Sequence, residues 1–189
     1  MTTALHWFRN DLRETDNDSL LKACKADRVL AVYCFDPRLF ERDPHGFPRT
    51  GKFRAQFLRE TLQDLSGRLR KLNLPLFIYY RAPEEALPGL VSRFGVSEIH
   101  AQREWTRDET QVRDAVLAQL PDAVRLQEHY DQFLFHPEDI PYEAFQRIPE
   151  VFTNFRKACE KQARVRDCLP TPEKRPEAHW IEPEAEIPE

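Results

Sequence analysis

A chain of 189 residues with 41% hydrophobic and 11% aromatic content is long enough for one domain of moderate size, burying roughly 70% of its unfolded surface. Its formal charge of −4 equals that of residues 170–189 alone, so the remainder is balanced and lacks the basic face of a stand-alone nucleic-acid binder. No apolar run reaches the roughly 18 residues needed to span a membrane. The opening MTTALHWFRND has no basic and apolar leader, and the four cysteines show no CxxC pair and no metal-ligand rhythm with the six histidines, as expected for reduced thiols in a cytoplasmic protein.

In chain order, residues 4–8 (ALHWF) read as a first buried strand, followed by the charged stretch RNDLRETDN, where Asp16 or Asp18 could cap the next helix. Residues 28–35 (RVLAVYCF) read as a second strand, and 36–48 as a loop long enough to be functional or mobile. A helix is expected over 52–72, where Phe53, Phe57, Leu58, Leu62, Leu65, Leu69 and Leu72 recur at steps of three and four, with Thr50 as a candidate cap beside Gly51. Residues 74–80 form a third strand. A helix over 83–94 starts on Pro83 and two glutamates and stops at Gly95. Residues 98–101 follow as a strand, 106–120 as a helix with capping-box spacing from Thr106 to Glu109, and 123–129 as a fifth strand.

This alternation predicts a Rossmann-like α/β domain over 1–135, an open five-stranded parallel sheet with helices on both faces. Residues 136–169 read as a connecting segment with a helix over about 150–162. Residues 170–189 hold five of the fifteen prolines and six glutamates, and read as a linker or disordered tail.

Ligands of open α/β sheets bind outside the carboxyl ends of the strands, which places Asn10, Asp11 and Arg13 near such a crevice. The alternative is an ordinary solvated turn, and spacing alone leaves the two even. Glu104, in QREWT after the fourth strand, faces the same region and could accept hydrogen bonds from N–H groups of a planar heterocycle; it could equally answer a helix dipole. Arg49-Thr50-Gly51-Lys52 could hold an anion at a helix start, or simply cap it. No GxGxxG or GxxxxGK[ST] loop is present, and no nucleophile, acid–base pair or metal set emerges.

Several long motifs, taken together, resemble the photolyase/cryptochrome family: WFRNDLRETDNDSLLKA (7–23) and CFDPRLF (34–40). RTGKFRAQFLRETLQDL (49–65), QREWTRDE (102–109) and FLFHPEDIPYEAFQRIPEVFTNFRKACEK (133–161) resemble its cryptochrome DASH branch. The resemblance covers about residues 4–161 and departs from the family pattern at Glu14-Thr15, at 131–135 and at Trp105. It implies the N-terminal domain of a longer flavoprotein, able to hold an antenna chromophore, commonly a methenyltetrahydrofolate in this branch. Glu104 would match the acid that hydrogen-bonds the pterin ring, and Asn10 and Asp11 the stretch bordering the antenna pocket. A following helical domain, beyond this chain, would bind FAD and drive light-dependent splitting of cyclobutane pyrimidine dimers in DNA, a carbon–carbon lyase reaction. It would also carry the family's basic DNA surface, so no catalytic residue and no FAD site are expected here. An exposed interdomain face at 150–162 (Val151, Phe152, Phe155, Cys159) could then support self-association. The alternative reading is a nucleotide-binding or scaffold module on the same fold.

Overall fold

The computed structural model describes residues 1–188. Five strands, β1 (Thr3–Phe8), β2 (Arg28–Cys34), β3 (Leu76–Tyr79), β4 (Glu98–Gln102) and β5 (Arg125–His129), form one parallel sheet in the order β3-β2-β1-β4-β5. Helices α1 (Asp18–Ala23) and α2 (Lys52–Lys71) cover one face, α3 (Pro83–Phe94) and α4 (Arg107–Gln119) the other, and α5 (Phe152–Gln162) follows the sheet. The Rossmann-like reading therefore holds.

Strand alternation divides the core in two. Ala4 and Phe8 of β1 join Leu20, Leu62, Leu65 and Leu69 beneath α1 and α2. Leu5 and Trp7 join Leu87, Leu90, Val91 and Val116 beneath α3 and α4. All six β1 residues are buried, as a central parallel strand requires. Helix α3 ends where Gly95 adopts φ +61°, and its N–H closes on Val91 C=O. A Cβ there would meet no atom within 4 Å, so Gly95→Ala tests backbone strain alone. We expect a loss of about 1 kcal/mol, a fall in Tm of roughly 3 °C by thermal unfolding, and a neutral variant would contradict it.

Three expectations are corrected. Helix α1 is capped by Asn17, whose side chain accepts the Leu20 N–H at 2.9 Å, and not by Asp16 or Asp18; Asp16 has φ +51°, a conformation unsuited to a cap. Helix α2 is capped by Gly51 without a side-chain bond, and not by Thr50. Only the C-terminal half of the α2 stripe is core: Phe53 and Phe57 are 76% and 70% exposed. Its 20 residues extend about 30 Å, whereas the four-residue strand β3 beside it covers about 13 Å, so the first turns overhang the sheet.

Residues 170–188, expected as a linker or disordered tail, instead lie against the domain. The Arg175 guanidinium donates to the carbonyls of Cys24 (3.1 Å), Ala26 (2.7 Å) and Asp27 (2.8 Å), groups left over beyond the end of α1. Asn73, at φ +55°, donates to Arg175 C=O at 2.7 Å, and Ala185 reaches the open edge of β3. Composition gave no sign of this, because proline and glutamate dominate the segment and its few anchors, Arg175, Ile181, Glu184, Glu186 and Ile187, are spread singly along it.

Candidate functional site

The sheet order reverses between β1 and β4, and the crevice at their carboxyl ends is where a ligand would sit. Leaving β1, Arg9 lays its guanidinium over Trp7 (4.7 Å to the ring centre) and donates to Glu109 C=O at 2.8 Å. Asn10 then turns toward β4. Its amide donates to Glu104 Oε1 at 3.0 Å and to Glu109 Oε1 at 3.3 Å. Glu109 is placed by its own helix start, where Oε2 accepts the Thr106 N–H (3.1 Å) and hydroxyl (2.7 Å), as the spacing predicts.

Glu104 is the centre of this cluster. It is 2% exposed, and Oε1 also accepts from Gln102 Nε2 at 3.1 Å. Oε2 has only Gln132 Nε2 at 3.5 Å, well short of the capacity of a carboxylate oxygen. Burial lifts the Glu104 carboxyl above its ordinary range; nearby Arg9 opposes the shift and Glu109 adds to it. Outside Glu104 stands an aromatic wall: Trp105, 46% exposed, packs 5.3 Å from Tyr130 and 5.9 Å from Phe133. The Arg103 guanidinium lies 5.2 Å from both the Trp105 and Tyr130 rings.

The structure thus brings Asn10 and Glu104 together, and it places Asp11 elsewhere. The Asp11 side chain is fully buried. Its carboxylate accepts from Arg9 N–H (2.9 Å), Asn17 Nδ2 (3.2 Å) and Ser19 Oγ (3.4 Å), and its Oδ2 lies 3.8 Å from His6 Nε2. It fixes the turn that aims Asn10. Arg13 also serves the framework, donating to Asp16 C=O and Asp131 C=O. The suggested anion loop is tied differently as well, with Arg49 paired to Asp108 at 3.2 Å. Sequence reasoning singled out Glu109 only as a capping residue, and did not single out Arg9, Gln132, Tyr130 or Phe133. The last three follow β5, whose carboxyl end borders the same crevice, so the strand-end rule could have found them. Among the described residues, no helix is long and apolar enough to cross a membrane, and no group of three or more His, Cys, Asp or Glu could hold a metal ion.

A parallel sheet with this reversal, and a buried carboxylate with spare acceptor capacity beside an aromatic wall, defines a Rossmann-type domain with a polar, aromatic-lined crevice at its switch point. The chain belongs to the DNA photolyase family, whose profile matches residues 4–177. It is 43% identical to cryptochrome DASH of Gloeobacter violaceus, over 99% of this chain and 37% of the relative. It is 39% identical to the chloroplastic/mitochondrial cryptochrome DASH of Arabidopsis thaliana, over 88% of this chain and 30% of the relative. The fold superposes on the crystal structure of the Synechocystis sp. PCC6803 cryptochrome with a TM-score of 0.86 and 33% identity, covering 100% of this chain and 38% of that one. An archaeal photolyase from Sulfolobus tokodaii, with two FAD molecules and an implied novel light-harvesting cofactor, gives 0.74 at 25% identity, covering 92% of this chain and 38% of that one. The chain spans only 30–38% of the length of these relatives.

Proposed function

We propose that this domain holds the antenna chromophore of a DASH-type flavoprotein, a methenyltetrahydrofolate-type pterin, at the crevice between β1 and β4. The observation that carries this reading is Glu104, a carboxylate kept out of water with one oxygen nearly unpartnered. The surroundings fit such a group: Glu104 would accept the N–H groups of the pterin ring, Asn10 would hold the carboxylate in place, and Trp105 would offer a face for stacking. A ligand reaching Oε2 would displace the weakly held Gln132 amide. When bound, the chromophore supplies absorption near the ultraviolet–visible boundary. Asp11, offered by sequence as a pocket residue, takes a supporting part here.

The same proposal covers the longer protein: an FAD-binding helical domain as partner, damaged DNA contacted through it, and light-driven splitting of pyrimidine dimers. Exposed Phe152 at the start of α5 and Val151 just before it support an apolar interdomain face, through which the chain would also self-associate; Cys159, expected on that face, is instead buried. Such docking would enlarge the buried surface around the chromophore, so the chain alone should bind it more weakly than the longer protein.

Titration of the purified chain with 5,10-methenyltetrahydrofolate, read by absorbance and by calorimetry, tests the site. Glu104→Gln should weaken binding about tenfold or more, because a buried acceptor becomes an amide whose N–H₂ faces other donors. The affinity of the unaltered chain should also fall as pH drops through the raised Glu104 value, since a protonated carboxyl loses acceptor capacity; the variant should lose that pH dependence. A chain that takes up no chromophore, or a Glu104→Gln variant of equal affinity, would sink the assignment. FAD in parallel titrations separates a flavin antenna from a pterin one.

A further inference from the structure

The outer edge of β3 is occupied by the chain itself. Ile78 N–H donates to Glu184 C=O at 2.9 Å, and Ile78 C=O accepts the Glu186 N–H at 2.8 Å, with Ala185 in parallel register opposite Ile78. The flanking glutamates are gripped on the same rim. Glu184 accepts from the Tyr79 hydroxyl (2.8 Å) and from Arg93 of α3 (2.6 Å). Glu186 accepts from the Tyr80 N–H (3.2 Å) and from Arg81 (3.3 Å).

Residues two apart share one side of an extended strand, so a Glu-x-Glu spacing delivers both carboxylates to this rim of arginines and tyrosine. Backbone pairing to an open edge gives such docking its affinity, and the side-chain contacts give it selectivity. The hold on the edge itself is slight, with one residue paired to β3 and both Arg–Glu pairs about half exposed, and the flanking Ile181 and Ile187 are only partly buried against the two halves of the core. Behind it, Pro183 and the stretch back to the Arg175 clamp form only a single 3₁₀ turn, at Glu177–His179.

We propose that the outer edge of β3, with Tyr79, Arg81 and Arg93, is a docking edge for an extended acidic protein segment of Glu-x-Glu spacing, and that residues 184–186 fill it as a displaceable strap. The basic rim rejects Lys- and Arg-rich strands. The tether gives the strap an effective concentration of about millimolar, so an outside segment enters when the strap is released or when its own affinity exceeds that threshold.

The test uses the full chain carrying Glu184→Arg and Glu186→Arg. Amide hydrogen exchange at Ile78 should accelerate about tenfold or more, with the amides of β1 unchanged. A fluorescein-labelled peptide of residues 180–188 should bind this variant, restore Ile78 protection, and bind the unaltered chain roughly tenfold more weakly. The same peptide with Glu184 and Glu186 replaced by glutamine should bind the variant roughly tenfold more weakly. Unchanged exchange at Ile78, no peptide binding up to about 1 mM, or equal binding by the glutamine peptide would each overturn the proposal. If circular dichroism shows the variant unfolded, Arg81→Ala with Arg93→Ala takes its place: Ile78 should again exchange faster, and unchanged exchange overturns the acidic selectivity.

Discussion

Asp11→Ala should destabilise the protein by about 3 kcal/mol, lowering Tm by roughly 10 °C, one of the two largest effects expected here. The side chain is fully buried, and removing it leaves a cavity and strands the Arg9 N–H; it also takes one acceptor from the Asn17 amide, which keeps the Asp11 and Arg13 carbonyls, and the Ser19 hydroxyl keeps Asn17 Oδ1 at 2.9 Å. Each of these groups holds something further. Asn17 caps α1, and Arg9 spans from Trp7 to Glu109. Loss of the carboxylate therefore reaches both the start of a helix and the turn carrying Asn10. Asp11→Asn keeps one acceptor oxygen and should lose about half as much. Urea unfolding of both variants checks this; a loss below about 1 kcal/mol for the alanine variant would show that the carboxylate is not the hub of the turn.

The second large effect is acid sensitivity between pH 6.5 and 4. Three buried histidines lie beneath the short helix α1: His6 on β1, His100 on β4 and His129 at the end of β5. Lys22 Nζ stands 3.1 Å from His129 Nδ1, and His129 Nε2 stands 3.0 Å from His100 Nδ1. An ammonium only donates, so His129 Nδ1 must accept and its Nε2–H must donate to His100, which makes both rings neutral. Burial first, then the Lys22 charge, lowers His129 to about 4. Burial likewise lowers His6 to about 4 against the partial support of Asp11, and it lowers His100. Above pH 6.5 these groups are neutral folded and unfolded, so stability is fully present. As pH falls toward 4 the unfolded chain takes protons first, and each of His6 and His129 removes on the order of 3 kcal/mol.

Asp131 works in the opposite direction. Burial and the nearby Asp11 raise it to about 6, so the folded state takes its proton first between about pH 6 and 3.8 and recovers roughly 3 kcal/mol. Glu104, raised by burial, acts in the same direction as Asp131, but the lowered His6, His129 and His100 outweigh these two carboxyls, and stability should decline on acidification. Urea unfolding at pH 7, 6, 5 and 4 measures this. His129→Gln should flatten the decline, and a flat profile in the unaltered chain would contradict the neutral-cluster assignment.

The strands were legible because their apolar runs are short, β-rich and separated by helical periods, and because β1 must be apolar on both faces. Helix α1 was visible only as a place needing a cap: six residues are too few to declare a period, and the choice among Asp16, Asn17 and Asp18 depends on which one has extended backbone. Phe53 and Phe57 fit the α2 stripe perfectly well as letters. Their exposure depends on how far the helix outruns the strand beneath it, a length mismatch that periodicity does not contain. At the site, the strand-end rule selected Asn10 and Glu104. It misjudged Asp11, because a turn residue can point out or in, and hydrogen bonding to Arg9 and Asn17 decides the matter only once the turn closes. Gln132 and Glu109 meet Glu104 and Asn10 through sheet order, information spread across three strands.

The path of the chain also ranks its parts by resistance to pulling. Strand β1 is held by β2 across six registered residues and by β4 across four, and those ladders must give way together. At the other end, one residue pairs with β3, and tension applied near Pro188 would peel it away bond by bond. Freed as far as the Arg175 clamp, the strap would extend to a total of at most about 45 Å while the sheet stayed whole. Three carbonyl bonds to a single guanidinium then take the load side by side, and behind them lies the central strand. Residues 176–188 are thus a compliant segment in series with a stiff sheet, and tension along them is spent on the strap and its clamp before it reaches Asn10 and Glu104.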